Sequence, residues 1–425
     1  MATTPKPLTQ AAVSAAPLTP LLVFVFVSSL GTGAITHGVY FLTESTLGYG
    51  RPPNYALAAM FGAIYILSAA GVGPLVRRAA DLAPWLTTRA LLGGCVLLIA
   101  LACLLPILAR TPTGAPPAWT LWALLAIYAG ATGVLWPVTE SFISGGRTGR
   151  EMRSATGRFN IAWSSATVAA LLLMGPLVET APLWFLAGVG LAHLGTLPLL
   201  LWLPADPAGE APDDHPDKAP RPPVYLDLLR VVRVLLPLSY LYSAALIPQL
   251  PTALARLGLD ASWKPAVASV YLVARLGGFT LFERWHAWHG KRWMPVVGAS
   301  LLVSGFALAV LAPELAHRHT PLSGVGLPLL LAGLTLFGLG ASMIYGAAIY
   351  YAMAVGSASV DAGGTHEALI GLGYTFGPLC GLAAIALADS GGFQVESTTA
   401  LTVVSVSIAV GFVAWRLSLA RGKLR

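Results

Sequence analysis

Residues 204–223 read PADPAGEAPDDHPDKAPRPP, a stretch of proline and mixed charge set between long apolar runs. Such a composition cannot bury a core, and its proline density favours extended chain, so the stretch is expected to be a connector. Outward from it in both directions the sequence repeats one pattern, an apolar run followed by a short polar break. Six runs precede it, at 18–40, 54–76, 86–108, 118–142, 158–178 and 181–203. Six follow, at 228–250, 264–284, 293–312, 325–351, 366–388 and 397–418. About 20 helical residues at ~1.5 Å each cross a ~30 Å hydrocarbon core. A membrane β-barrel would show alternating strands of roughly ten residues in place of continuous apolar runs. The expected fold is therefore an all-α integral membrane protein of twelve transmembrane helices in two six-helix, pseudo-symmetric halves. The halves are placed at 18–203 and 228–418, joined by a Pro-rich linker at 204–227 and flanked by tails at 1–17 and 419–425.

Composition supports the same class. Charged residues make up 10% of the chain and hydrophobic residues 56%, with a mean hydropathy of +0.74. Soluble domains carry about 25% charge, which is what their surfaces need. The cations crowd into alternate breaks: Arg77 and Arg78, then Arg147, Arg150 and Arg153, then Lys218 and Arg221, then Arg284, Lys291 and Arg292, and finally Arg421, Lys423 and Arg425. The opposite breaks hold only Arg51, Arg110, Arg256, Lys264 and Arg318. The positive-inside rule then puts both termini in the cytoplasm, and the plasma (inner) membrane is the expected location. The break after the tenth run departs from the trend, with Asp361 and no Lys or Arg. The net charge of +7 and pI near 9.4 are read as topogenic charge along one membrane face and not as a nucleic-acid surface. Residues 1–17 make a poor cleaved signal, so the first run is expected to remain as an anchor. Cys95, Cys103 and Cys380 fall inside runs with no metal-type spacing and are read as packing residues; no metal or other cofactor is expected.

The halves also echo each other. Gly71, Leu75 and Arg78 at the end of the second run recur at a constant offset as Gly277, Leu281 and Arg284 at the end of the eighth. Parallel six-helix repeats joined by a linker are a transporter architecture, with the solute site near the midplane between them. The chain resembles the major facilitator superfamily over nearly its whole length. The family signature after the second helix is Gly-x-Leu-x-Asp-Arg-x-Gly followed by basic residues. Here Gly73-Pro74-Leu75-Val76-Arg77-Arg78 keeps the Gly, the Leu and the second basic position but has Arg77 in place of the acid, with Asp81 four residues on as a substitute. The second-half copy, Leu281-Phe282-Glu283-Arg284, keeps the acid–base pair. Trp136-Pro137-Val138-Thr139-Glu140 running on to Arg158-Phe159-Asn160-Ile161-Ala162-Trp163-Ser164, and His366-Glu367-Ala368-Leu369-Ile370-Gly371-Leu372-Gly373, resemble the family's fourth-to-fifth and tenth-to-eleventh helix regions. No subfamily is assigned.

Ionisable groups inside apolar runs need a reason, because each costs at least ~2.5–3.5 kcal/mol at the bilayer centre. Arg275 lies near the middle of the eighth run. It is either a cation lining a wet cavity, bound to an anionic or hydroxyl-rich solute or to a titrating acid, or one member of a structural interhelical pair. His37 adjoins a stripe of Thr32, Thr36 and Tyr40 spaced as on an α-helix, and is either a proton carrier or a hydrogen-bonded structural histidine. His193 is read as packing. Glu140, Arg158, Glu283 and Glu367 are placed at cytoplasmic ends of runs, where with Arg77, Arg78, Asp81 and Arg284 they form a gate or act simply as topogenic and capping charges. Glu140 and Glu367 are further proton-coupling candidates. Tyr128, Trp136, Tyr240, Tyr242 and Tyr345 fall on helices that the resemblance implies line the cavity. Gly373, Gly377 and Gly381 make a close-packing face.

These residues and the resemblance together imply a secondary active transporter, not an enzyme. It would move a small organic solute by alternating access, coupled to protons, as a monomer in the lipid bilayer. There is no Gly-x-x-x-x-Gly-Lys-Ser/Thr loop for a nucleotide. The alternatives are a membrane-embedded transferase, which would show clustered acids or histidines at one face and a sizeable donor loop, and a non-transporting sensor.

Overall fold

The computed structural model describes residues 15–83, 85–112, 114–209, 222–318, 324–355 and 359–422. Twelve helices among them are long and apolar enough to cross a membrane. They are α1 Leu18–His37, α2 Arg51–Leu82, α3 Thr88–Leu108, α4 Ala118–Ser144, α5 Gly149–Leu177 and α6 Pro182–Leu200, followed by α7 Pro223–Arg256, α8 Lys264–Arg284, α9 Trp293–Ala316, α10 Gly326–Ala352, α11 Val360–Gly391 and α12 Val395–Leu417. The N-terminal tail up to residue 14, most of the proline-rich connector at 210–221, and Lys423 and Arg425 lie outside the described residues.

Each expected run has its helix, but several helices continue past the apolar stretch. Arg77, Arg78 and Asp81, expected to follow the second helix, sit on its last turns, and Arg150, Arg153 and Arg158 all lie on the first turns of α5. A helix satisfies its own backbone, so it can extend out of the hydrocarbon into water at no cost, and hydropathy registers only the buried part. At α11 the shift matters for the site. Ser359 caps this helix, its hydroxyl accepting from the Ala362 amide at 3.2 Å. The helix therefore starts at Val360, and His366 and Glu367 lie nearly two turns inside it.

Apolar side chains cover both the interior and the periphery, the pattern of a helix bundle whose surroundings are lipid. Leu101 on α3, Leu191 on α6 and Leu401 and Ile408 on α12 are exposed. α7, by contrast, is buried over most of its length. Contacts between helices that precede the connector and helices that follow it run mainly through α2 against α11 and α5 against α8.

The α7–α11 contact depends on absent side chains. A Cβ on Gly373 would lie 2.5 Å from the Pro237 carbonyl oxygen, and one on Gly377 would lie 2.3 Å from the Leu241 carbonyl oxygen, so the two backbones touch. Gly373→Leu must push helices apart in a packed bundle, and overpacking of this kind costs about 1–3 kcal/mol or more. A melting temperature in detergent several degrees below wild type is the expected result; an unchanged one would mean that α11 can move away from α7 freely.

Candidate functional site

A small chamber of about 50 Å³ lies at the centre of the bundle. Its walls are Ser29, Thr32 and His37 of α1, Tyr65 of α2, Trp136 of α4, Phe159 and Trp163 of α5, Tyr240 of α7, Arg275 of α8, Tyr345 of α10, and Glu367, Ile370 and Tyr374 of α11. Helices α3, α6, α9 and α12 contribute nothing to this lining. Pockets for small organic ligands measure roughly 300–1,000 Å³, so the chamber has to expand before one fits.

Arg275 is 4% exposed, and its Nε and Nη2 have no hydrogen-bond partner. It has no ion pair among the described residues, which sets aside the interhelical salt bridge as its reason to be there. Its guanidinium carbon lies 4.5 Å from the centre of the Trp163 ring and 6.0 Å from that of Tyr271, so aromatic faces take the place of a counter-ion.

Facing it is a buried acid pair. Carboxylate oxygens of Glu140 of α4 and Glu367 of α11 lie within 4.8 Å of each other, and Tyr65 donates to Glu367 Oε2. A carboxylate only accepts, so any bond between the two requires a proton on one of them. Both are almost fully buried; Glu140 lies near the end of α4, as expected, whereas Glu367 lies nearly two turns inside α11. The structure brings α4 and α11 together because Gly363 leaves room, its notional Cβ lying 3.1 Å from Glu140 Oε2. His366, which was not singled out, joins the pair: one donor atom from each of Glu140, His366 and Glu367 falls within 4.8 Å of the others. Two carboxylates and an imidazole could hold a proton or a divalent cation; Glu140 Oε1 and His366 Nε2 have no partner.

The α1 stripe is where local geometry departs from expectation. Residues Thr32–His37 form one π-helical turn between Leu18–Gly31 and Val39–Leu47. With bonds from i to i+5, Thr32 and His37 share a face, and both line the chamber, whereas Thr36 and Tyr40 turn away from it. α-Helical spacing had grouped Thr32 with Thr36 and Tyr40. His37 Nδ1 lies 2.7 Å from the Tyr271 hydroxyl. Of the other aromatics proposed for the wall, Trp136, Tyr240 and Tyr345 line the chamber. Tyr128 stands behind it, its hydroxyl 3.2 Å from Thr32 Oγ1, and Tyr242 packs on Phe306 with ring centres 4.9 Å apart. His193 bonds back to the Val189 carbonyl at 2.8 Å, away from the chamber. Cys95, Cys103 and Cys380 are free and buried.

The two ends of the bundle differ. At the end bearing Glu44, Arg51, Arg256 and Lys264, the arginines Arg51 and Arg256 converge on the Glu396 carboxylate, and Lys264 Nζ lies 2.7 Å from Glu44 Oε2. Both links tie helices from opposite sides of the connector. At the arginine-rich end Arg77 pairs with Asp361 across α2 and α11. The basic residue in the signature's acid position thus meets the acid that breaks the charge trend. Arg78, Asp81 and Arg284 make no ion pair among the described residues. Arg158 and Glu283 line a cavity of about 670 Å³ that opens at this end, without pairing to each other. Trp163, Phe279 and Tyr345 pack with centroids 5.4–5.8 Å apart and form the partition between this cavity and the chamber.

His289, in the α8–α9 connection, stacks on Tyr350 at 4.1 Å and lines the larger cavity. Burial, and then the charges of His286 and Arg153, hold its imidazole down at about 4. A histidine so depressed is neutral in the folded chain, and the unfolded chain takes up the proton first. Its stabilising contribution is therefore complete above ~6.5 and is lost as the pH falls toward 4. Melting temperature should fall through that window, and His289→Gln should flatten the fall. Identical pH profiles for the two proteins would show that His289 does not contribute.

The fold has close counterparts among solved structures. The nucleoside transporter NupG superposes with a TM-score of 0.60 at 12% identity, over 94% of this chain and 98% of that one. The human organic anion transporter MFSD10 (TETRAN) gives 0.60 at 15%, over 92% and 98%. A variant of the E. coli fucose:proton symporter FucP gives 0.53 at 14%, over 93% and 98%. No protein-family profile and no curated protein sequence matches the chain. The chain is an integral membrane protein. Its fold is that of the major facilitator superfamily, as the sequence resemblance implied, with no subfamily assigned.

Proposed function

We propose that the protein is a secondary active transporter that carries a small organic solute by alternating access, with protons as the coupling ion. The observation that carries this reading is the central chamber, walled by eight helices drawn from both sides of the connector and lined by an arginine without an ion pair and by Glu367, with Glu140 close behind it. Arg275 and His37, with Trp136, Tyr240 and Tyr345, contact the solute; Glu140 and Glu367 carry the proton. The Glu396 and Lys264 links close one end, while Arg77–Asp361, Glu283, Arg158 and the aromatic partition govern the other. Alternating access is a two-state equilibrium between such closures. Solved proteins of this fold that transport nucleosides, organic anions, or fucose with protons favour transport over the transferase and sensor alternatives.

In the orientation favoured by charge placement, both termini and the arginine-rich end face the cytoplasm. The two groups of six helices act as halves that rock against each other around the chamber, and a single chain suffices, because the chamber is complete within it. The test is flux in proteoliposomes carrying an internal pH dye. The expected result is solute-dependent proton movement down an imposed gradient. Neither solute nor proton movement across a broad solute panel would overturn the reading in favour of a sensor or an enzyme.

A further inference from the structure

We propose that the chamber recognises its solute by a carboxylate group, gripped bidentately by the Nε–Nη2 edge of Arg275, with the rest of the solute lying against the surrounding aromatic rings. Two fully buried nitrogens of Arg275 without a hydrogen-bond partner, Nε and Nη2, share the side edge of the guanidinium. That edge presents parallel N–H donors at the spacing of the two oxygens of a carboxylate. The Trp163 ring covers one face of the group, and the buried, unpartnered edge meets a polar ligand once the chamber expands to admit one. Arginine stays charged at any working pH, so a buried and unpaired guanidinium has a standing demand for an anion. The acids in the chamber do not meet that demand. Glu367 accepts from Tyr65 and lies beside Glu140, and among the described residues no Asp or Glu pairs with Arg275.

The approach to the chamber supports the same sign of charge. Arg150, Arg153 and Arg158 line the larger cavity with Glu283 as its single acid, a field that concentrates anions at the entrance. A carboxylate fits better than a phosphate, because one guanidinium edge and a wall of rings satisfy two oxygens and one negative charge, while a phosphate brings more of both. Tyr240, Tyr345 and Tyr374 suit a flat or apolar solute body.

This inference deepens the transport reading and rests on it for the solute's passage; recognition itself is tested by binding alone. Thermal unfolding of the purified full-length protein in detergent is followed with acetate, lactate, benzoate and phenylacetate, each against its own amide, and with phenyl phosphate. A ligand that binds the native state raises the melting temperature. The expected result is a saturable rise with at least one acid and none with its amide. Arg275→Lys keeps the charge but loses the fork, and should weaken that acid by about ten-fold or more. An amide as effective as its acid, no acid effective at all, phenyl phosphate preferred, or Arg275→Lys binding like wild type would each overturn the proposal. Should that variant fail to fold, the comparison of acid and amide on the wild-type protein decides. Flux of neutral solutes with no preference for acids overturns the carboxylate and leaves transport standing; acid-selective binding without flux does the reverse.

Discussion

Glu367→Gln is expected to abolish proton-coupled flux while leaving solute binding and folding intact. The amide is nearly isosteric, can still accept from Tyr65 and can still lie beside Glu140, so the α4–α11 contact survives. What is lost is the ability of the pair to take up and release a proton as its surroundings change. Proteoliposomes containing the variant should give no acidification signal above the empty-vesicle background, whereas exchange of solute for solute at equal pH, which needs no net proton movement, should continue. Glu140→Gln should behave in the same way, since the proton belongs to the pair. A variant that still acidifies vesicles at the wild-type rate would move coupling elsewhere, with His37 the next group to test. Loss of exchange together with coupling would instead make Glu367 a solute ligand.

The second large effect is expected at the opposite end. Glu396 is 2% exposed and receives both Arg51 and Arg256, joining the starts of α2 and α12 to the end of α7. Glu396→Gln leaves two guanidinium groups facing each other without a counter-charge, but only while this end is closed. When it opens, water solvates both. Breaking a buried pair costs about 3–5 kcal/mol; because Arg256 is partly exposed, the lower figure applies. About 3 kcal/mol corresponds to roughly a hundred-fold change in the ratio of open to closed states. The measurement is the labelling rate of Ser29→Cys, which lines the chamber, by a membrane-impermeant maleimide added from that side, in a background with the native cysteines replaced. Labelling should accelerate strongly. An unchanged rate would show that the Lys264–Glu44 link and helix packing keep this end shut without Glu396.

How much of this was legible in the sequence varies from element to element. The apolar runs were, because a membrane helix must satisfy its own backbone, and each run carries its signal locally. The extra turns of α2, α5 and α11 were not, since the hydropathy pattern ends at the lipid boundary while the backbone hydrogen bonds continue beyond it. Arg275 stood out because a charge in an apolar run is costly wherever it points. His37 stood out too, but its neighbours were misgrouped, because a π turn changes which residues share a face and leaves no mark in composition. Tyr65, Trp163 and Tyr374 drew no attention as wall residues, one aromatic among many looking like another until the helices are packed.

By itself, the sequence determined the membrane class, the twelve spans and the costly charges within the runs, all properties that lipid imposes residue by residue. Only the tertiary structure decided that Glu140 and Glu367 meet, that Arg77 faces Asp361, and that Arg275 is left with a buried, unpartnered edge and no acid among the described residues. Those are relations between helices far apart in the chain, set by which backbones can approach, and no local pattern encodes them.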